Sequence, residues 1–174
     1  GPFPTALGNW EDIMKTEKRY SDEDTAKLLI KINQGKASDL EIGRYLRNIG
    51  GGEFGTKTGR PRAVGWPDPV MLNRPIRLNG IDILAFTKLD SFVGMNKIKV
   101  CQSYTTENGK IIPNYIEMNG YEEIKDVRTY EKLPTNAKLL VELYEKMTGK
   151  PAAIISTGPE EHQKIIRREL LQIE

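Results

Sequence analysis

The stretch that decides the fold is IDILAFTKLD, residues 81–90. Its apolar run from Ile81 to Phe86 predicts a buried strand, which ends in the polar segment Thr87 to Asp90. A second apolar run, Ala152 to Ile155, leads in the same way into the segment Ser156 to Pro159. Because these strands alternate with helical patterns, the sequence predicts an α/β fold with a mixed sheet and flanking helices.

The chain between and beyond these two strands supplies the remaining elements. Residues 98–104 alternate in polarity, and Asn108-Gly109 predicts a hairpin turn before Ile111. Residues 136–147 form an amphipathic pattern that ends at Gly149, and Pro159 is expected to open a last helix that ends near Leu171.

A short helix is expected around residues 70–72, between Pro67, Pro69 and Pro75. Proline inside a helix removes a hydrogen bond and clashes with the preceding turn. Pro75 is therefore expected to break this helix.

The N-terminal part, residues 1–52, is predicted to hold a proline-rich segment and a small helical insertion. Ser21 with three acidic residues after it is typical of a helix start. Ser38 and Glu41 have the spacing of a capping box, which predicts a second helix. Glycines 50–52 mark the junction to a second region, residues 53–174.

Composition excludes several classes of protein. The chain has 174 residues, 38% hydrophobic and 29% charged, with 26 basic and 24 acidic residues. A net charge of +2 gives no general basis for binding nucleic acid, and no apolar run is long enough for a membrane span. Cys101 is the only cysteine, which excludes an internal disulfide and agrees with a reducing cytoplasm.

The loop from Gly55 to Arg62 is the most basic stretch of the chain. It looks like a nucleotide phosphate loop, but Thr56 separates Gly55 from Lys57, whereas that motif requires glycine directly before lysine. Arg60 and Arg62 are suited to pair with carboxylates or phosphates. On composition alone, a solvated surface loop is nearly as good an interpretation.

The two strand ends are the other candidates for binding. Asp90 has two carboxylate oxygens that suit the amide-like edge of guanine, and the stem of Lys88 suits the face of the ring. The predicted helix start after Ser156 offers free backbone amides. Taken singly, a surface Lys-Asp pair and an ordinary capped helix would explain these segments as well.

Other reactive residue types point to no chemistry. His162 is expected to be solvated, Cys101 to be a small core residue, and Trp66 to pack rather than to stack on a ligand. The sequence shows no cluster with the spacing of metal ligands, and no catalytic residue is expected in this chain.

Taken together, these motifs resemble those of the adenylosuccinate synthase family. Gly1 to Thr5 is similar to the family's Gly-Pro-Phe-Pro-Thr segment, and Glu53 to Asp68 resembles its aspartate-binding loop and the segment after that loop. Lys88-Leu89-Asp90 resembles the family's guanine-binding motif, and residues 154–159 its near-terminal Ile-Ser-Thr-Gly-Pro. The four blocks occur in the family's order.

The resemblance implies the C-terminal portion of a ligase that uses GTP to join L-aspartate to IMP, giving adenylosuccinate, GDP and phosphate in purine biosynthesis. It implies aspartate binding by Thr56, Lys57, Thr58, Gly59, Arg60 and Arg62, and an IMP contact from Arg60. It implies GTP binding by Arg62, Lys88, Leu89, Asp90, Ser156, Thr157 and Gly158.

The resemblance also implies that several family elements are missing from this chain. The family's phosphate loop, general-base aspartate, catalytic histidine and Mg²⁺ ligands match no residues here, so the chain alone is expected to be inactive. The stretch from Gly8 to Asn48 is longer than the family's usual link, and residues 105–134 are shorter. A cytoplasmic homodimer is implied for the whole enzyme.

Two alternatives come from other classes of protein. A stand-alone guanine-nucleotide binding module would keep the Lys88 and Ser156 segments and have no phosphate loop. A nucleic-acid binder would use Lys57, Arg60 and Arg62, with an affinity that falls steeply as salt rises. The balanced charge argues against the nucleic-acid binder.

Overall fold

The structure is a computed structural model that describes residues 4–49 and 52–170. Residues Gly1–Phe3, the junction glycines Gly50 and Gly51, and the expected helix end at Leu171 lie outside the described residues. The described helices are α1 (Trp10–Thr16), α2 (Asp22–Asn33), α3 (Asp39–Asn48), α4 (Pro69–Asn79) and α5 (Thr135–Thr148). The described strands are β1 (Leu84–Phe86), β2 (Lys97–Glu107), β3 (Lys110–Asn119), β4 (Ala152–Ser156) and β5 (Lys164–Ile166).

Three strands form the sheet that positions the candidate site. β4 is central: it pairs in parallel with β1 and antiparallel with β5. This arrangement confirms the predicted α/β fold with a mixed sheet. The strand predicted from Ile81 is shorter than expected, since pairing begins only at Leu84, and Ile83 is 40% exposed rather than buried.

The expected hairpin is present and is longer than the sequence indicated. β2 and β3 pair antiparallel around a turn at Asn108-Gly109, where both residues have positive φ (50° and 74°). This is the backbone that an Asn-Gly hairpin turn requires. The register shifts between Cys101 and Ser103, so a bulge bends the outer half of the hairpin.

The helical N-terminal segment forms as its capping signals predict. The Ser21 hydroxyl accepts the amide of Asp24 at the start of α2. Ser38 and Glu41 form a complete capping box at the start of α3. Helix α1 has its own cap, Asn9, which accepts the amides of Glu11 and Asp12.

The prediction that Pro75 breaks its helix was wrong. α4 runs from its cap Asp68 through Pro75 to Gly80, whose left-handed conformation (φ 60°) ends it. Pro75 lies on the exposed side, whereas Ile76 beside it is buried at 6% exposure. Packing of the apolar face therefore outweighs the local cost of one missing hydrogen bond.

The predicted last helix after Pro159 was also wrong. The chain instead turns back through an exposed His162, pairs β5 against β4, and ends its described part in a short 3-10 helix, Arg168–Leu170. β5 pairs with the edge of β4 that β1 leaves open, and its middle residue Ile165 is thereby buried at 1% exposure. Long-range strand pairing thus overrides a local helical pattern.

One hydrophobic cluster joins the sheet, the hairpin and α5, and includes Trp66, Ile98, Leu140 and Ile155. Cys101 is fully buried, so the expected core roles of this residue and Trp66 are confirmed. Side chains of α3, among them Leu46, belong to the same cluster, so the helical segment packs on this core. Within residues 4–49 and 52–170, no helix has the length and apolarity to cross a membrane.

Candidate nucleotide-binding cleft

A cleft of about 500 Å³ lies where the ends of β1 and β4 meet the loop that begins after residue 52. Four segments far apart in the sequence contribute to it, namely residue 19 and residues 52–62, 87–90 and 156–159. The last two lie at the carboxyl ends of parallel strands, as expected for a ligand site. Six of the predicted site residues line it: Thr56, Arg62, Lys88, Asp90, Ser156 and Gly158.

The segment after β1 separates two polar side chains from an apolar one. Lys88 has a left-handed backbone (φ 60°), and a 3-10 helix, Leu89–Phe92, begins at the next residue. This turn places Lys88 and Asp90 at the cleft and buries Leu89 completely. The carbonyl of Leu89 accepts a 2.6 Å hydrogen bond from the Tyr121 hydroxyl, so this predicted guanine contact serves as a core anchor in the structure.

Asp90 is the acidic group at the inner end of the cleft. Burial raises the pKa of its carboxyl, and the charge of Glu123 raises it further. A hydrogen bond from the residue's own amide and the charge of Lys88 act in the opposite direction and lower the pKa. A half-buried carboxylate whose desolvation is incompletely offset gains strongly from hydrogen-bond donors on a ligand.

The end of β4 forms the opposite wall. The Ser156 hydroxyl donates to the carbonyl of Gly158 at 2.8 Å, which fixes a tight turn. A side chain at Gly158 would meet Gln163 Oε1 at 2.2 Å, so only glycine fits there without displacing it. Thr157 is fully buried, with its amide donating to the Gln163 carbonyl and its hydroxyl to the Val127 carbonyl.

No helix begins directly after β4, so this segment lacks the free backbone amides that a helix start would have offered. This segment presents Ser156, Gly158 and Pro159 to the cleft. The predicted segment therefore lines the cleft, but the helix predicted for it was wrong.

The basic loop is closed at its base by backbone hydrogen bonds. The amide of Gly55 donates to the Arg60 carbonyl at 2.8 Å, and that of Arg62 donates to the Glu53 carbonyl at 2.9 Å. Lys57, Thr58, Gly59 and Arg60 form its exposed tip and lie outside the lining of the cleft. The predicted aspartate-binding residues thus separate into this tip and the two cleft residues Thr56 and Arg62.

Glu53 links the loop to the strand end. One of its oxygens lies 3.3 Å from Nη1 of Arg62, and the other contacts Nζ of Lys88. This carboxylate holds two predicted ligand-binding cations beside each other. Glu53 belongs to the motif that precedes the loop, but the sequence pattern indicated no role for it.

A buried ion cluster holds the loop from behind. Arg47, at the end of α3, accepts the Glu53 amide at its carbonyl (2.6 Å) and donates through Nε to the Arg62 carbonyl (2.8 Å). Its Nη1 lies 3.1 Å from Glu17, whose other oxygen accepts from Arg44. Burial lowers the pKa of Arg47, and the charge of Glu17 opposes this. No pattern in the sequence indicated this cluster.

A larger, mainly apolar cleft of about 670 Å³ adjoins the first and shares Glu53, Thr87 and Lys88 with it. Its lining also includes Asp68, which accepts hydrogen bonds from the hydroxyls of Thr5 and Tyr104 and caps α4. Within the described part of the chain, no three His, Cys, Asp or Glu side chains gather into a group that could hold a metal ion.

The structure is an α/β protein in which charged side chains and a glycine turn gather at the carboxyl ends of the strands of a mixed sheet, where such folds place their ligands. The sequence matches the adenylosuccinate synthetase family over residues 1–165. The chain therefore belongs to that family.

Individual relatives agree with this assignment. The adenylosuccinate synthetase of Caldanaerobacter subterraneus is 47% identical over 143 residues, covering 74% of this chain and 33% of the relative. That of Alkaliphilus metalliredigens is 41% identical, covering 76% and 34%. The structure of fully ligated adenylosuccinate synthetase from Plasmodium falciparum matches with a TM-score of 0.67 and 26% identity, over 97% of this chain and 36% of that one. The chain spans about a third of the length of these relatives.

Proposed function

We propose that this chain is the guanine- and aspartate-binding portion of an adenylosuccinate synthetase. That ligase uses GTP to join L-aspartate to IMP and releases adenylosuccinate, GDP and phosphate. The observation that carries the proposal is the cleft itself. Six residues named from the sequence, drawn from three separate segments, line one space of about 500 Å³.

In this proposal Asp90 accepts hydrogen bonds from the amide-like edge of guanine. Lys88 lays its stem beside the ring and remains paired with Glu53. Ser156 and Gly158 form the opposite wall, where the absence of a side chain at Gly158 leaves room for Gln163 and lets the turn close. Leu89 and Thr157 act from the core by holding the two strand ends in place.

The aspartate substrate belongs at the exposed tip of the loop. Thr58 and Arg60 offer a hydroxyl and a guanidinium to its carboxylates, with Gly59 at the turn between them and Thr56 and Lys57 completing the loop. Arg60 also reaches IMP in this proposal, and Arg62 faces the GTP side, where it lines the cleft. These groups bind and orient the substrates.

The described residues present no metal-ligand group, so no step is assigned through Mg²⁺ on this part of the protein. Mg²⁺ binding, proton removal and most IMP contacts belong to family elements that match no residue of this chain. On its own the chain binds nucleotide without turnover. A cytoplasmic homodimer is the proposed state of the whole enzyme.

The test is calorimetric titration of GDP, with ADP as the comparison, into the wild-type protein and Asp90→Asn. A hydrogen bond to a charged group contributes about 1.5–3 kcal/mol, so the variant is expected to lose roughly 10- to 100-fold in GDP affinity. Asp126→Asn removes the same charge from an exposed position outside the cleft and serves as the matched control.

Preference for GDP over ADP that disappears in Asp90→Asn and persists in Asp126→Asn supports the assignment. Equal affinity for the two nucleotides in the wild-type protein contradicts a guanine site at this cleft. A stand-alone guanine-nucleotide binding module predicts the same binding, and it is separated by assaying adenylosuccinate formation by the whole enzyme.

A further inference from the structure

Arg19 lies in the segment between α1 and α2, which is fixed on both sides of this residue. The carboxylate of Glu17 is buried against Arg44 and Arg47, and the amide of Tyr20 donates to Asn48 Oδ1 at 2.8 Å. These contacts attach the segment to α3, and the side chain of Arg19 is exposed and reaches the ring of Phe54. Its guanidinium carbon lies 4.8 Å from the ring centroid of Phe54.

This position makes Arg19 part of the candidate cleft, together with Arg62, Lys88 and Asp90. The backbone next to it is shaped to admit the guanidinium. Gly52 has a φ of 82°, and a side-chain carbon there would lie only 3.1 Å from Nη1 of Arg19. A buried Phe54 on one side and a glycine on the other thus hold the cation at the cleft wall.

More positively than negatively charged side chains line the cleft. Three cations line it, Arg19, Arg62 and Lys88, against the two carboxylates of Glu53 and Asp90. Glu53 contacts both Arg62 and Lys88. Arg19 has no ion pair with any carboxylate in the described part of the chain, and its contact is the face of an aromatic ring.

Arg19 is therefore the residue that gives the cleft its excess positive charge. A guanidinium over a ring face keeps its edge N–H groups available, and it presents them in a fork that matches the oxygens of a phosphate. The polar edge of guanine needs an acceptor instead, which Asp90 supplies. The cleft thus offers Asp90 as an acceptor for a base and Arg19 as a cation for an anion.

We propose that Arg19, supplied by the helical segment 9–49, is a further nucleotide-binding residue and contacts the phosphate of the nucleotide whose base lies at Asp90. The inference rests on the proposed function and adds a recognition element from a segment to which the sequence assigned no ligand contact. The helical segment then has a direct role in binding, because the way residues 17–20 pack against α3 decides where the guanidinium of Arg19 lies.

The experiment compares guanosine with GDP, by calorimetry, in the wild-type protein, Arg19→Ala and Arg19→Lys. Lys18→Ala is the matched control: it removes one positive charge from the adjacent residue, which is exposed and does not line the cleft. Arg19→Ala is expected to weaken GDP binding about 10-fold, since a charge-assisted contact is lost, and to leave guanosine binding within 2-fold (roughly) of the wild type. Arg19→Lys keeps the charge but loses the fork, and is expected to restore GDP affinity only in part.

Each outcome is decisive for the inference. Equal loss of guanosine and GDP affinity in Arg19→Ala would show that the residue supports the fold or the base, and overturns a phosphate contact. Unchanged GDP affinity in Arg19→Ala, or the same loss in Lys18→Ala, overturns it as well while leaving the guanine site intact. Failure of the wild-type protein to bind either ligand contradicts the proposed cleft, and the inference falls with it.

Discussion

Two clusters of charged side chains lie on opposite sides of the segment that leads into the basic loop. Behind it, Glu17 and Arg47 have no exposed side-chain surface, and Arg47 is hydrogen-bonded to the loop's backbone. In front of it, Glu53 pairs with Arg62 and Lys88, whose side chains are 60% and 40% exposed. The buried cluster is suited to fix the loop, whereas the exposed one is suited to exchange its partners when a ligand arrives.

The difference arises from solvation. A buried ion pair gives up much of its hydration, so removal of one partner leaves an uncompensated charge in the interior. An exposed pair is screened by water and salt, so its loss changes stability little. Arg47 and Glu17 approach to 3.1 Å without hydrogen-bond alignment between Nη1 and Oε1, so their attraction rests on charge rather than on directed bonding.

The largest expected effect comes from breaking the buried cluster. Arg47→Met leaves Glu17 buried with Arg44 as its remaining cation and removes the bond to the Arg62 carbonyl. The free energy of unfolding is expected to fall by about 3–5 kcal/mol, as measured by urea denaturation. The control is Lys27→Met, which removes an exposed partner of Glu23 and is expected to change the free energy of unfolding by less than about 0.5 kcal/mol.

The double variant Glu17→Gln/Arg47→Met removes both charges of the buried pair. It is expected to be more stable than Arg47→Met alone, because no buried carboxylate then lacks its partner. If Arg47→Met and Lys27→Met were equally stable, the buried cluster would not hold the loop in the way described.

The sequence predicted the two clusters to very different degrees. In the exposed cluster, Lys88 and Arg62 belong to short contiguous motifs, and the placement of Lys88 beyond a strand end is a general property of parallel sheets, whereas no pattern indicated Glu53 between them. Glu17 and Arg47 are thirty residues apart on separate elements, and Arg47 sits in a helix where an arginine ordinarily faces solvent. Their meeting depends on how α3 docks, which no local pattern encodes.

The errors in predicting the fold from the sequence have the same origin. The helix capping signals at Ser21 and Ser38 act within one turn and were interpreted correctly. Pro75 and the segment after Pro159 were misinterpreted because distant packing and strand pairing decide their conformation. Local rules thus predicted the element starts and the motif-bearing strand ends, but not the surfaces that only the assembled chain creates.

Replacing Asp90 is expected to raise the free energy of unfolding slightly, whereas replacing Arg47 lowers it. Burial raises the pKa of its carboxyl in the folded chain above the unfolded value. Below the unfolded pKa both states are protonated and the group contributes nothing. As pH rises through the folded pKa, the folded state carries a desolvated charge, so the group lowers stability at neutral pH.

Asp90→Asn should therefore unfold less readily than the wild type at pH 7, by less than about 1 kcal/mol because the group is only half buried. This difference in stability between Asp90→Asn and the wild type should shrink toward zero as pH falls into the acid range. Urea denaturation at a series of pH values measures it. A variant that is less stable than the wild type at neutral pH would show that Asp90 supports the fold rather than being held there for binding.

The smallest change in stability is expected at Glu53, the centre of the exposed cluster. Glu53→Gln removes the carboxylate between Arg62 and Lys88 and should alter the free energy of unfolding by less than about 1 kcal/mol. Its effect on ligands should be the reverse, because a cleft lined by three cations then keeps only the carboxylate of Asp90. GDP affinity is expected to rise several-fold at low salt, and the gain should decline as salt increases, since screened charges attract phosphate less.

Titrations of GDP and guanosine at two salt concentrations measure this effect, and guanosine, which has no phosphate, should be almost unaffected. A large loss of stability in Glu53→Gln would place this residue with the buried cluster and remove the distinction between the two sides of the loop. A loss of GDP affinity without a loss of stability would mean that Glu53 holds its two cations in the orientation the nucleotide requires, so that pairing within the cleft matters more than its net charge.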